Sequence, residues 1–170
     1  NERTIEYCGN LGKIRSNQQF LGGITGSNNW VIQYSYNKGS LIMLTVDNYA
    51  GGITGYNYGY VNDTYNQGSV SGGNYVAGIA GGNNGKYLTN CYNSGYISGN
   101  SFFGGLVATS PGTVTSCFWD NQTSGLVTTA GGQGEGKYTY QMKIKTTFTS
   151  AGWDFNNVWG IKDLETYPYL

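Results

Sequence analysis

A unit of about 27 residues recurs along this chain, most visibly where Gly51-Gly52-Ile53-Thr54-Gly55 repeats Gly22-Gly23-Ile24-Thr25-Gly26. A fixed period in this range marks stacked repeats, in which each unit packs on its neighbours, so it restricts the fold more than any local propensity. Aligned on one small residue, the units read Cys8, Ser35, Thr64, Cys91 and Cys117, at steps of 27, 29, 27 and 26 residues. Three apolar columns accompany it. Ile5, Ile32, Val61, Leu88 and Val114 stand three residues before it, and Ile14, Leu41, Val70 and Ile97 six after. Ile24, Ile53, Ile79 and Leu106 follow the Gly-Gly or Ala-Gly pair.

Each unit reads as three short β-rich pieces bounded by Gly and Asn, for example Gly51–Gly55, Val61–Tyr65 and Gly68–Gly72, with no helical period. Coils of this kind, stacked at the ~4.8 Å strand spacing, form an all-β parallel β-helix of about five coils, with the apolar columns as inward ladders. The 170 residues include 29 Gly and only 38% hydrophobic residues, too few for a thick core but enough for the narrow centre of such a coil. The cysteines share the small-residue column with Ser35 and Thr64, which makes them packing residues rather than a disulfide set or nucleophiles.

Further columns carry predictions of their own. Asn10, Asn37, Asn66 and Asn93 should bond amide to amide along the stack. Asp63 shares a column with Tyr7, Tyr34, Asn90 and Ser116, a turn position. Next to the small, inward column stand Gly9, Tyr36, Tyr65, Tyr92 and Phe118, which strand alternation places outside. Leu41 to Tyr49 interrupt the second coil and predict a bulged loop or a longer face.

The chain divides into coils over residues 1–120 and a capping segment over 121–170. After Cys117 no Gly-x-Val-x-Gly piece follows, residues 125–136 form a Gly/Thr-rich loop, and Thr139 is placed to cap a short helix ending near Thr147. Trp153, Phe155, Val158, Trp159 and Ile161 supply an apolar cluster to cover the last coil's open edge. Asn1 to Ile5 run straight into a repeat, which suggests an excised or processed piece whose first coil is bare.

The Gly-Gly-Ile-Thr-Gly pieces and the run Asn90-Cys91-Tyr92-Asn93-Ser94-Gly95-Tyr96-Ile97-Ser98-Gly99 resemble GLUG-motif repeats, found in large secreted and surface proteins of bacteria and archaea, including adhesins and some surface peptidases. Ser116 to Asp120, Gly152 to Phe155 and Tyr167-Pro168-Tyr169-Leu170 resemble the tail that ends such arrays. The resemblance implies a parallel β-helix and an extracellular or cell-surface setting, and leaves the activity open.

Nine basic and nine acidic residues give no net charge, so nothing in the composition recruits nucleic acid or an anionic membrane. No stretch reaches the ~20 apolar residues of a membrane helix, so no membrane insertion by this segment is expected. The absence of histidine removes the commonest general base and most zinc sites. Glu6, Asp47, Asp63 and Asp120 fall at four different repeat positions, without the paired carboxylates of a glycosidase, and no calcium-binding nonapeptide pattern occurs. No catalytic residue, metal site or cofactor is therefore expected. The outward strip of Tyr36, Tyr65, Tyr92 and Phe118 is the candidate binding surface, for a neutral glycan or a surface protein. The expected function is a non-catalytic stalk or adhesive surface of a larger protein. The alternatives are a fibre subunit that self-associates end to end through its first coil, and a polysaccharide-active enzyme.

Overall fold

The structure is a computed structural model and describes residues 3–85 and 87–170. Asn1 and Glu2, where the first predicted coil begins, and Lys86 lie outside the described residues. The chain winds into a parallel β-solenoid whose turns run through four sheets, each strand pairing with the strand one turn on. Sheet A takes the longest strands, Val31–Asn37 and Tyr60–Asn66, with Thr4–Glu6 and Gly9–Asn10 before them and Tyr87–Thr89 and Tyr92–Asn93 after. Sheet B contains Ile14–Ser16, Leu41–Met43, Val70–Ser71 and Ile97–Ser98. Sheet C contains Phe20–Gly22, Tyr49–Gly51, Tyr75–Ala77 and Phe102–Gly104, and sheet D contains Thr25–Asn28, Thr54–Asn57, Ala80–Asn83 and Val107–Thr109.

Two expectations are corrected. Each turn has four sheet segments rather than three, because the Gly-Gly-Ile-Thr-Gly piece is not one strand: Gly52-Ile53 is the corner between sheets C and D. That corner leaves no room for a side chain at Gly52, where a Cβ would lie 2.1 Å from the Gly78 carbonyl oxygen. The turns also number about four rather than five. A fifth pass along sheet A, Thr113–Thr115 and Phe118–Asp120, is made, but Asp120 then caps the helix Asn121–Ser124 instead of turning into sheet B.

The predicted columns are the observed registers. Ile5, Ile32, Val61, Leu88 and Val114 pair in order along sheet A, and Ile14, Leu41, Val70 and Ile97 along sheet B. The interior holds two apolar threads. One joins sheet A to the C–D corner through Ile32, Ile53, Val61, Ile79, Leu88 and Leu106, and the other joins sheets B and C through Leu41, Val70, Ile97, Leu21, Ala50 and Val76. Each such side chain, fully removed from water, contributes ~1.5–3 kcal/mol. Leu41–Met43 is an ordinary strand, and the insertion bulges only after it, where Leu44 and Val46 are exposed.

A kink in sheet A explains why two inward residues stand three apart. Tyr7, Tyr34, Asp63, Asn90 and Ser116 all have φ between 47° and 53°, one left-handed residue per turn. The kink resets alternation, so that Ile32 and Ser35 both face inward, and Val61 and Thr64 likewise. It also frees backbone donors, and the small-residue column receives them: Cys8 N–H donates to Ser35 Oγ (3.1 Å) and Cys91 N–H to Cys117 Sγ (3.3 Å). Cys91 and Cys117 are buried and reduced, and burial pushes the Cys117 thiol well above its ordinary pKa.

The Asn column is an amide ladder. Asn10 Nδ2 donates to Asn37 Oδ1, Asn37 to Asn66 and Asn66 to Asn93, each at 2.7 Å, and each Nδ2 also reaches the carbonyl two residues on. A second ladder, Asn28 to Asn57 to Asn83, runs along sheet D and ends on Ser110 Oγ.

Residues 121–170 do two jobs. Up to Lys137 they close the far end of the solenoid together with Trp119 of the preceding strand: Trp119 plugs one thread and Leu126 the other, joined by Trp119 Nε1 donating to the Leu126 carbonyl (2.9 Å), and Glu135–Lys137 adds a last strand to sheet A. From Tyr138 on, the chain does not cover that end but folds back along the outer face of sheet A. The predicted helix is replaced by a 3-10 turn, Gln141–Lys143, and a short helix, Lys145–Thr149. Thr139 caps neither, because its hydroxyl donates to Asp120 Oδ1 (3.0 Å).

Candidate functional site: two aromatic ladders

The sequence-predicted strip exists as a stack and is largely hidden. Tyr36, Tyr65 and Tyr92 stack at centroid distances of 5.2 and 5.1 Å, within 10° of parallel. Tyr36 remains half-buried, with Lys38 Nζ 5.2 Å from its ring centroid. Tyr65, Tyr92 and Phe118 are buried beneath Met142, Phe148, Trp153 and Trp159. Phe118 leaves the stack to meet the Phe148 ring edgewise at 5.4 Å. The expectation of a free binding surface at Tyr65, Tyr92 and Phe118 is therefore corrected: alternation does place them outside the coil, but the residues after 138 supply a second layer.

Polar groups fix that layer. Trp159 Nε1 donates to Asp63 Oδ1 (3.0 Å), Trp153 Nε1 to the Ser116 carbonyl (2.9 Å), and the Tyr92 hydroxyl to the Pro168 carbonyl (2.7 Å). Asp120, fully buried, accepts from the Gln122 and Thr123 N–H groups and from the Thr139 and Tyr167 hydroxyls, the last at 2.6 Å. Burial raises the Asp63 carboxyl above its usual range, against the opposing pull of Trp159 and Asn90.

The covered phenols give the fold an alkaline limit. Burial, then the neighbouring Tyr36, pushes Tyr65 up to about 12, and burial, then Asp120, does the same to Tyr167. Burial also holds Tyr92 well above its ordinary value. In the unfolded chain these phenols ionise near pH ~10, so above that the unfolded state binds fewer protons than the folded one. The stability they contribute is complete below pH ~10 and is lost as pH rises to about 12. Urea midpoints measured from pH 8 upward should be flat and then fall across this window, with the last tyrosines to ionise doing so as the fold is lost.

A second ladder stays open to solvent. Phe20, Tyr49, Tyr75 and Phe102 occupy one register position on sheet C, with centroid distances of 5.9, 4.4 and 5.2 Å. Tyr56 on sheet D meets Tyr49 at 5.0 Å and 77°, and Tyr58 lies 4.7 Å further on. Tyr56 fits because its neighbour in the next turn is Gly82, where a Cβ would come within 2.5 Å of the ring. Tyr58 and Phe102 are nearly half exposed, at 46% and 49%. The strands of sheets C and D contain no Asp, Glu, Lys or Arg, so this face is aromatic, amide and hydroxyl only.

Sequence reasoning missed this ladder although its signal was present: an aromatic residue recurs two positions before each Gly-Gly or Ala-Gly pair, at steps of 29, 26 and 27. In these stacks ring faces cover one another, so the surface presents ring edges and hydroxyl tips at the strand spacing of ~4.8 Å.

The carboxylates are committed to local structure. Asp154 accepts from the Asn157 side chain and the Asn156 and Asn157 N–H groups, which hold its carboxyl below the usual range, and Asp163 accepts from Lys145 N–H (2.7 Å). Among the described residues no three His, Cys, Asp or Glu side chains converge where a metal ion could sit, and no helix is long and apolar enough to cross a membrane.

No protein-family model matches the chain, and no solved structure matches it. A curated protein of Evansella cellulosilytica, named "Putative Gly-rich membrane protein", is 43% identical over 60 residues, 35% of this chain. The match spans 7% of that relative's length. The similarity is thus confined to a 60-residue stretch of a much longer protein, and the chain itself is a parallel β-solenoid of about four turns closed at one end.

Proposed function

We propose that this chain is a non-catalytic β-solenoid module serving as stalk and adhesive surface of a larger extracellular or cell-surface protein. The observation that carries the reading is the uncharged face of sheets C and D, with its row of aromatic edges and hydroxyls. Exposed apolar patches rimmed by polar groups are characteristic of interaction sites, and an uncharged one suits a neutral glycan or a protein partner. The GLUG resemblance and the similarity to a Gly-rich membrane protein agree with a surface setting. A head-to-tail fibre has less support, because residues 121–137 seal the end that a neighbouring copy's first turn would need. Polysaccharide cleavage has less support too, since Asp63, Asp120 and Asp154 are spent on capping and on tying down the C-terminal segment.

The test is a glycan array and binding to surface-protein extracts, comparing the wild type with the double variant Tyr49→Ala/Tyr75→Ala, its fold checked by circular dichroism. Binding weakened about tenfold or more is expected, as for truncation of central aromatic contacts. Unchanged binding by the folded variant, or no binding by the wild type, would overturn the reading.

A further inference from the structure

The geometry points to a second, separate binding site for a neutral saccharide unit, in the cleft where the C-terminal segment leaves sheet A. The outward column Gly9, Tyr36, Tyr65, Tyr92, Phe118 ends on Glu135, in the last strand of the sheet. Between that strand and the residues from Tyr140 to Ala151 lies an open cleft of about 450 Å³. Small-molecule sites run from roughly 300 to 1,000 Å³, so the space suits one or two sugar rings.

Its lining matches what a pyranose offers, an apolar C–H face with hydroxyls around the rim. Ile144 lines the apolar part, backed by the buried Phe118, and Tyr140, 64% exposed, stacks on Tyr138 (6.1 Å, 10°) and offers the rest of its ring to a sugar. Glu135 and Lys137 form an ion pair, and Lys137 Nζ also lies 5.7 Å from the Phe118 ring centroid. Together they present ammonium donors and carboxylate acceptors with no net charge, which selects neither anions nor cations. Thr146 and Ser150 stand four residues apart at the helix Lys145–Thr149, and both line the cleft. Thr147 Oγ1 is engaged with the Gln141 carbonyl (2.8 Å), whereas the Thr146 and Ser150 hydroxyls make no hydrogen bond among the described residues and are available as donor and acceptor.

The experiment is isothermal titration of the purified chain with cellotetraose, maltotetraose and mannotetraose. At least one should bind. Tyr140→Ala, at an exposed position and with its fold checked by circular dichroism, should raise its Kd about tenfold, and Glu135→Gln should raise it less, because one acceptor oxygen remains. Tyr49→Ala/Tyr75→Ala should leave it unchanged, which separates this site from the sheet C ladder. The proposal is overturned if none of the three binds the wild type, if Tyr140→Ala binds as the wild type does, or if only the ladder variant loses binding.

Discussion

Trp153→Ala is expected to lower the unfolding free energy by about 3–5 kcal/mol, the range for removing a large buried aromatic side chain. Trp153 is 4% exposed and sits at the centre of the layer over sheet A, with ring centroids 4.5 Å from Trp159, 4.8 Å from Phe148 and 6.1 Å from Phe118. The variant loses that packing together with the indole bond to the Ser116 carbonyl, while the two interior threads stay intact. The effect should therefore be larger on the C-terminal segment than on the coil. Thermal unfolding followed by far-ultraviolet circular dichroism and by tyrosine titration separates the two. The expected result is a retained β signal at 20 °C with Tyr65 and Tyr92 ionising nearer pH ~10, their value when exposed. A loss below about 1 kcal/mol, with the titration unchanged, would show that the layer does not depend on this residue.

Asn66→Ala should cost a similar amount by a different route. Asn66 is fully buried; its Nδ2 donates to Asn93 Oδ1 (2.7 Å) and the Gly68 carbonyl (2.8 Å), and its Oδ1 accepts from Asn37 Nδ2 (2.7 Å). Truncation deletes all three bonds, worth ~0.5–1.5 kcal/mol each, and leaves buried partners under-satisfied, so about 3–5 kcal/mol is expected. Asn10→Ala, at the half-buried end of the same ladder, is the control and should cost about 1 kcal/mol. Urea midpoints with an unchanged slope are the measurement. Equal costs at the two positions would mean that the ladder contributes no more inside than at its end.

The interior of this protein was legible because in a solenoid each inward residue packs on the equivalent residue of the next turn. A column in the aligned repeats is then a physical contact: Ile32 to Val61 to Leu88, Asn37 to Asn66 to Asn93, and the left-handed column through Asp63 could all be read from spacing. The C–D corner was not legible, since Gly-Gly-Ile-Thr-Gly has the composition of a strand and the close approach of the next turn, which leaves room only for glycine at Gly52, is a tertiary contact. Nor was the fifth turn's early end, which rests on Asp120 turning to cap residues 122 and 123.

The sequence alone thus determined the stacking, the inward apolar columns, the burial of Cys91 and Cys117 and the outward position of the Tyr36, Tyr65, Tyr92 column, because each follows from a period and from strand alternation; Cys8, in the first turn, is exposed. Only the tertiary structure decided which outward column meets solvent. Trp159 reaches Asp63 across 96 residues and Pro168 reaches Tyr92 across 76, contacts between a non-repeating segment and the array that no column encodes. By burying the Tyr65 and Tyr92 rings, that segment leaves the sheet C ladder and the cleft beside Phe118 as the surfaces open to a ligand.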